Sequence, residues 1–233
     1  MNIYFLIQFI VFLFLLAFKN NVEAVEGVFV WDLAYSTDVF KCLKNNSTEF
    51  VIAQAFTYKG FVDETVKSNI LNAREAGICD VDIYVYPCVQ PSYVSKNCGS
   101  GSNNLKVGRV WLAILKLSVH ANSIGWYDYN ITKNIEFIEE MITTLKKCNQ
   151  DFGIYTSKED WFEITGDTKI FKKVELLYDK ELYNQNNFYD FIKFGSFVKP
   201  SAKLYDYPIT CGIHVANAYK PFLKDCYESE VQK

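Results

Sequence analysis

The segment between residues 50 and 86 contains two apolar runs, Phe50-Val51-Ile52-Ala53-Gln54-Ala55-Phe56 and Val81-Asp82-Ile83-Tyr84-Val85-Tyr86, separated by a stretch with helical spacing from Asp63 to Ala76. Gly77 follows the helical stretch, and glycine is the preferred residue just after a helix end. Short apolar runs of this length are typical of buried strands. A strand, a helix and a second strand in succession predict a β/α unit with parallel strands.

The same alternation extends in both directions from this unit. Further strands are predicted at 28–31, 110–117 and 152–155, and an amphipathic helix is predicted at 131–147. The last third of the chain has no regular pattern. Repeats, linkers and low-complexity runs are absent from the 233 residues, so one α/β domain is expected.

The N-terminus has the features of a secretory signal peptide. The run from Ile3 to Phe18 is apolar except for Gln8, and Val22-Glu23-Ala24 offers small residues at a cleavage site. A membrane anchor would need about 20 apolar residues, and this run is shorter. We therefore expect a signal peptide at 1–24, a mature domain at 25–233, secretion, and no membrane association of the mature form.

Seven cysteines are consistent with an oxidising compartment. Cys88 and Cys98 bracket a loop of Pro, Ser and Asn and are the easiest pair to imagine as a disulfide, while the odd number leaves one thiol free or intermolecular. The cysteine and histidine spacings do not match a zinc site, so neither a metal nor a cofactor is expected. Acceptor sequons for N-glycosylation begin at Asn45, Asn46 and Asn130.

The charge balance excludes one class of partner. With 24 Lys+Arg against 27 Asp+Glu, the chain lacks the basic field that nucleic acid binding requires. The 19 Phe, 16 Tyr and 4 Trp are explained either by aromatic platforms for sugar rings or by a general compositional bias. A monomer is the default expectation.

Several stretches, in a shared order over nearly all of the mature chain, together resemble the animal branch of glycoside hydrolase family 25, the nematode-type lysozymes. They are Phe40-Lys41-Cys42-Leu43-Lys44, Ala73-Arg74-Glu75-Ala76-Gly77-Ile78, Val81-Asp82-Ile83-Tyr84-Val85-Tyr86-Pro87-Cys88, Val110-Trp111-Leu112, Gly153-Ile154-Tyr155-Thr156-Ser157 with Trp161, Phe194-Gly195, Lys199-Pro200, Cys211-Gly212-Ile213-His214-Val215 and Tyr219-Lys220-Pro221. The resemblance implies a flattened, irregular TIM-like β/α barrel and a peptidoglycan-cleaving ancestry, with a role in innate defence or in digestion of bacteria.

The decisive departure from the family lies at the end of the fourth strand. The family has Trp-Leu-Asp-Ile-Glu there, whereas this chain has Trp111-Leu112-Ala113-Ile114-Leu115. Side chains two apart on a strand share a face, so the family's two carboxyls reach one glycosidic bond, as this hydrolysis requires. Ala113 and Leu115 are apolar, and the resemblance therefore implies that both catalytic carboxylates are lost.

Other carboxylates of the chain are candidates to replace the lost pair. By resemblance, Asp32 matches the family's first active-site Asp, and it is interpreted either as a residual sugar ligand or as a structural acceptor. Asp128 is the candidate for a relocated acid. Asp82 is interpreted as structural, with a partner such as Arg109 or Lys116. His120 and His214 are interpreted as ordinary residues. The family also has Asp-Val-Asp where this chain has His214-Val215-Ala216, and Trp-Tyr-Ala where this chain has Leu177-Tyr178-Asp179.

Two functions remain open from the sequence. The first is a secreted, catalytically impaired homologue, a pseudoenzyme that binds peptidoglycan, another glycan or a protein. The second is an active muramidase that cleaves β-1,4 bonds of peptidoglycan with a relocated acid, provided that Asp128 or Asp82 lies close to Asp32. A third hypothesis is that the scaffold has drifted to an unrelated protein-interaction role.

Overall fold

A closed barrel of eight strands organises the chain, as the computed structural model shows for residues 25–31, 33–57, 61–87, 89, 108–115, 126, 130–180 and 185–221. The predicted single-domain α/β barrel is confirmed. In chain order the elements are β1 (Val25–Val30), α1 (Thr37–Asn45), β2 (Phe50–Phe56), α2 (Val66–Glu75), β3 (Asp80–Val85), β4 (Val110–Ala113), α3 (Ile131–Lys147), β5 (Phe152–Thr156), α4 (Lys158–Thr165), β6 (Glu175–Asp179), β7 (Ala202–Asp206), β8 (Ile209–Thr210), β9 (Ile213–His214) and β10 (Ala216–Lys220).

The barrel is parallel except at one strand. Strands β1 to β7 are neighbours in chain order and all run in the same direction. Strand β10 lies between β7 and β1, is antiparallel to both, and closes the barrel. The carboxyl ends of β1–β7 therefore meet at one end, which we call the mouth, and Lys220 at the end of β10 lies at the opposite end.

Successive side chains of each strand point alternately into the barrel and out toward the helices, so the protein has an interior core and an outer core. One set of residues, which includes Phe29, Tyr84, Trp111 and Leu177, fills the barrel interior. The alternate residues pack outward against the helices, where α3 and α4 share one cluster and α1 and α2 share another. Gly153 permits this filling, because a Cβ atom there would overlap the ring of Trp111.

Several predicted elements are confirmed with adjusted bounds. The helix expected at 131–147 is observed as α3, with Asn130 accepting a hydrogen bond from the Lys133 amide at its start. The helix expected from Asp63 instead begins at Val66. The Asp63 carboxylate accepts hydrogen bonds from the amide and hydroxyl of Thr65, and this local turn replaces the first helical turn.

A disulfide connects the two ends of the domain. Cys42 on α1 is bonded to Cys211, in the turn between β8 and β9, over a sequence separation of 169 residues. Cys79 is also disulfide-bonded, while Cys148 is a free, exposed thiol. The predicted pair Cys88 and Cys98 and the predicted signal peptide lie outside the described residues. None of the helices in the described ranges has the length and apolar character that a bilayer crossing requires.

Candidate functional site

The end of β4 is the position at which the sequence analysis placed the lost carboxylates. Ala113 is fully buried in the barrel interior, and Leu115, two residues further on, is 9% exposed and belongs to the same interior cluster. Leu112 and Ile114 pack outward on the helix side. The two apolar side chains thus face the interior at the mouth, as the alternation along a strand predicts.

Strand β4 ends at Ala113 and is therefore shorter than the predicted strand 110–117. Beyond Ala113, side chains and not a neighbouring strand donate to the backbone carbonyls. The Ile114 amide still donates to the Tyr155 carbonyl at 2.8 Å, but the Ile114 carbonyl accepts from the Thr156 hydroxyl at 2.6 Å. The indole of Trp126 donates to the Leu115 carbonyl at 3.3 Å. These bonds satisfy the buried backbone groups and fix where Leu115 lies.

Aromatic rings fill the barrel interior beside and below these two residues. The rings of Phe29 and Tyr84 are stacked with centroids 3.9 Å apart, and Tyr155 lies 5.5 Å from Phe29. The Tyr84 hydroxyl donates to the Gln54 amide oxygen at 2.6 Å, so its polar end is satisfied. Among the described residues, the interior below the mouth is therefore packed with side chains.

Aromatic rings also form part of the rim. Trp31 follows β1 and is half-buried, and its ring stacks on Tyr207, which follows β7, with centroids 6.2 Å apart. Tyr86 follows β3, is half-buried, and contacts the Tyr84 ring edge-on. Partly exposed rings above an apolar floor are a common arrangement in ligand sites.

One carboxylate faces this mouth from the end of β6. Asp179 is 9% exposed and accepts a hydrogen bond from the Tyr155 hydroxyl at 3.1 Å. Burial raises the pKa of the Tyr155 hydroxyl well above its usual range, and the charge of Asp179 raises that pKa further. Tyr155 therefore stays protonated at physiological pH and acts as a donor to Asp179.

Asp82 lies in the opposite half of the barrel. The side chains of Tyr84 and Tyr86 follow it toward the mouth, and its Oδ2 accepts from the indole of Trp111 at 3.0 Å. Burial raises the pKa of its carboxyl, and the positive charge of Lys220 acts against this shift. The hydrogen-bond partner is thus Trp111 rather than the expected Arg109, because the indole lies on the adjacent strand β4.

Arg109 has a different partner and contributes to the Asp82 carboxyl only through its charge. Its guanidinium forms an ion pair with Glu175 at 2.8 Å. Lys220 in turn forms a buried ion pair with Asp80 at 2.5 Å. These ion pairs lie toward the end of the barrel opposite the mouth, and Tyr84 and Tyr86 follow Asp82 on the way to the mouth. The structural role of Asp82 stays a prediction.

The remaining sequence candidates are distributed as follows. Asp32, Asp128, His120 and Lys116 lie outside the described residues, and their roles remain predictions. His214 is exposed on β9, in the hairpin that connects β7 to β10. Thr156 and Ser157, which belong to a motif that carries the resemblance, both have structural partners. The Thr156 hydroxyl donates to the Ile114 carbonyl, and the Ser157 hydroxyl accepts from the Asp160 amide at 3.0 Å at the start of α4.

Sequence reasoning missed the pair formed by Tyr155 and Asp179. A signal was present, because both residues occupy interior positions at the ends of short apolar runs. The run containing Asp179 was not recognised as a strand, so its direction was not assigned.

Comparisons with known proteins agree with this geometry. A family model described as Lysozyme-like protein 1 matches residues 28–205. Lysozyme-like protein 5 of Caenorhabditis elegans is 28% identical over 224 residues, which cover 90% of this chain and 98% of the relative. Probable GH family 25 lysozyme 2 of Dictyostelium discoideum is 30% identical over 203 residues, which cover 82% of this chain and 87% of the relative. The solved structure of a muramidase from Acremonium alcalophilum has a TM-score of 0.64 at 17% identity, and the match covers 86% of this chain and 94% of that one.

Proposed function

The chain belongs to the Lysozyme-like protein 1 family, among the lysozymes of glycoside hydrolase family 25, and from this premise we propose that it is a secreted glycan-binding homologue that no longer hydrolyses peptidoglycan. Its ligand would be peptidoglycan or a related glycan, because the related fold of Acremonium alcalophilum is a muramidase. The role in innate defence implied by the family belongs to the same proposal.

The loss of hydrolysis is argued from Ala113 and Leu115. Cleavage of a glycosidic bond needs one carboxyl to protonate the leaving oxygen and a second group to stabilise or trap the positive centre. Removal of a general acid alone costs roughly 10²–10⁴ in rate. Here both positions at the end of β4 carry apolar side chains that are packed into the interior cluster, so neither proton transfer nor charge stabilisation is available from this strand.

Retention of binding is argued from the rim. The stacked pair of Trp31 and Tyr207 and the half-buried ring of Tyr86 surround an apolar floor with one polar pair, Tyr155 and Asp179. Aromatic faces bury a large apolar area without an unsatisfied polar group, which suits the apolar faces of sugar rings. The loss of the β4 carboxylates leaves these features in place.

Secretion is supported by two features of the chain. The Cys42–Cys211 disulfide is of the kind that persists in oxidising compartments. The apolar N-terminal run from Ile3 to Phe18, followed by small residues at Val22-Glu23-Ala24, has the pattern of a cleavable leader.

The alternative function is an active muramidase with a relocated acid. One observation favours it: Asp179 places a carboxylate at the mouth, although the β4 positions are apolar. Asp128 stays a predicted second candidate. The two functions differ in whether the wall polymer is cut.

The test combines a clearing assay and a pull-down on the same insoluble Gram-positive wall, with an active family member as positive control. We expect wall binding by the mature protein without clearing. Tyr207→Ala should weaken the pull-down, whereas Tyr189→Ala, which removes a 93% exposed ring from the segment between β6 and β7, should not. Clearing at the control's rate would refute the loss of hydrolysis, and absence of both clearing and binding would refute the glycan ligand.

A further inference from the structure

Asn130 uses only one end of its side-chain amide. It precedes α3, is exposed, and accepts a hydrogen bond from the Lys133 backbone amide at 3.1 Å. The accepting atom is the carbonyl oxygen Oδ1, because its partner is an N–H donor. The nitrogen Nδ2 has no hydrogen-bond partner among the residues that the structure describes, so it is available on an exposed side chain.

Two of the glycosylation sequons differ in whether this nitrogen is available. Asn130-Ile131-Thr132 is an acceptor sequence for N-glycosylation, and all three of its residues are exposed. In the sequon that begins at Asn46, Nδ2 instead donates to the Cys42 carbonyl at 2.8 Å and lies 3.6 Å from the sulfur of Cys211. The Asn46 amide is therefore part of the end of α1 and of the disulfide, whereas the Asn130 nitrogen is open to modification.

Exposed apolar side chains lie directly beside Asn130. Ile131, the next residue, is 42% exposed, and Phe162 on α4 is 65% exposed. The Cδ1 atom of Ile131 lies 3.2 Å from the position that a Cβ atom on Gly166 would take, so the Ile131 side chain reaches the end of α4. Gly166 follows Phe162 by one helical turn, and its amide donates to the Phe162 carbonyl at 2.8 Å. Ile131 and Phe162 thus border one surface, which we call the α3–α4 patch.

A polar contact between the two helices holds this patch together. Asn134, in the first turn of α3, is buried, and its side-chain amide donates to the Ile164 carbonyl near the end of α4 at 3.0 Å. The start of α3 is therefore held against the end of α4, and the patch is a fixed part of the surface. Sugar rings have apolar faces that pack on aromatic and aliphatic side chains while their hydroxyls stay in water. An oligosaccharide bonded to Asn130 would begin next to Ile131 and would bury this surface.

We propose that Asn130 carries an N-linked oligosaccharide and that this oligosaccharide covers the α3–α4 patch. The inference rests on the proposed secretion, because the transfer takes place in the secretory pathway. In the transfer, Nδ2 loses one proton to a base of the transferase and bonds to the anomeric carbon of an oligosaccharide carried on a lipid pyrophosphate. The bond from that carbon to the pyrophosphate breaks, and the lipid pyrophosphate leaves. Oδ1 keeps its hydrogen bond to the Lys133 amide, so the modification leaves the start of α3 intact.

The experiment expresses the full chain in eukaryotic cells, collects the protein from the medium and maps its peptides by mass spectrometry before and after treatment with peptide N-glycosidase. We expect the peptide that contains Asn130 to carry an oligosaccharide. Thr132→Ala removes the sequon but keeps the Asn130 side chain that caps α3, and it should abolish the modification. Thr132→Ser keeps the sequon and should retain the modification. Thr132 is exposed, so both variants should fold, and thermal unfolding checks this.

A second measurement tests whether the oligosaccharide covers the patch. Thr132→Ala, which lacks the oligosaccharide, should bind more of an apolar fluorescent dye than the glycosylated wild type. Adding Phe162→Ser to Thr132→Ala should remove this increase, because the exposed ring is then gone. Adding Leu71→Ser instead, which removes a 46% exposed side chain from α2, should leave the increase in place.

The outcomes separate this inference from the proposed function. Protein in the medium with an unmodified Asn130 overturns the inference and leaves secretion and wall binding standing. Protein that stays in the cytosol with its N-terminal leader uncleaved overturns the proposed secretion, and the inference falls with it. A modified Asn130 in the wild type, with equal dye binding by the wild type and Thr132→Ala, overturns the covering role.

Discussion

Replacing Asp82 with Asn tests the electrostatics of the barrel interior. Asp82 is 2% exposed, and burial raises the pKa of its carboxyl above the unfolded value, which is about 3.9. The folded protein therefore binds this proton more tightly than the unfolded chain. Linkage then requires the wild-type free energy of unfolding to be highest below the unfolded pKa and to fall as pH rises through the folded pKa.

The expected size of the effect follows from this linkage. Each unit of raised pKa removes about 1.4 kcal/mol of stability once the carboxyl is ionised. Asn keeps an oxygen acceptor for the Trp111 indole and has no charge to desolvate. Relative to the wild type, Asp82→Asn should therefore become more stable as pH rises from 4 to 7, because the wild type alone must keep a buried charge.

The measurement is urea unfolding followed by tryptophan fluorescence at both pH values, with disulfides intact. Asp38→Asn is the matched control, because its exposed carboxyl loses the same charge without desolvation. If the free energies of unfolding of the two variants change by equal amounts between pH 4 and pH 7, the nearby positive charge of Lys220 fully compensates the Asp82 charge. The burial argument then fails.

Three other changes test separate parts of the barrel by the same unfolding measurement. Lys220→Met leaves the Asp80 carboxylate buried without its ion pair and should cost about 3–5 kcal/mol, of which the double variant with Asp80→Asn should recover a part. Thr156→Val removes the hydroxyl that satisfies a carbonyl beyond β4 and should cost about 1–3 kcal/mol; a neutral result would show that water replaces it. Replacing Cys42 and Cys211 by Ser opens a 169-residue loop and should cost about 5 kcal/mol, whereas an unchanged midpoint would show a compact unfolded state.

The first half of the barrel could be predicted from sequence because its strands are continuous apolar runs with helices between them. Strands β2, β3 and β5 and helix α3 follow this pattern closely. Strands β6, β7 and β10 could not be assigned, because residues 175–220 contain no described helix to mark the alternation. Parallel register and barrel closure depend on contacts between distant residues, which local periodicity does not contain.

The candidate site was predictable only where a residue type departs from an expected pattern. Ala113 and Leu115 were recognised because apolar residues occupy positions where the resemblance requires carboxylates. The pair formed by Tyr155 and Asp179 depends on the register between β5 and β6. Asp82 was expected to pair with a cation, but the donor is an indole on the neighbouring strand, and a single sequence does not reveal that contact.

The position of β10 has a consequence for synthesis of the chain. Strand β1 pairs with β2 on one side and with β10 on the other, although β10 is the last strand of the barrel to be made. Until β10 leaves the ribosome, β1 and β7 both present open edges, which are templates for pairing with other chains. The barrel can thus close only after nearly the whole domain has been translated. The yield of folded protein in the cell should therefore depend on how well these open strand edges are protected from other chains until β10 has been made.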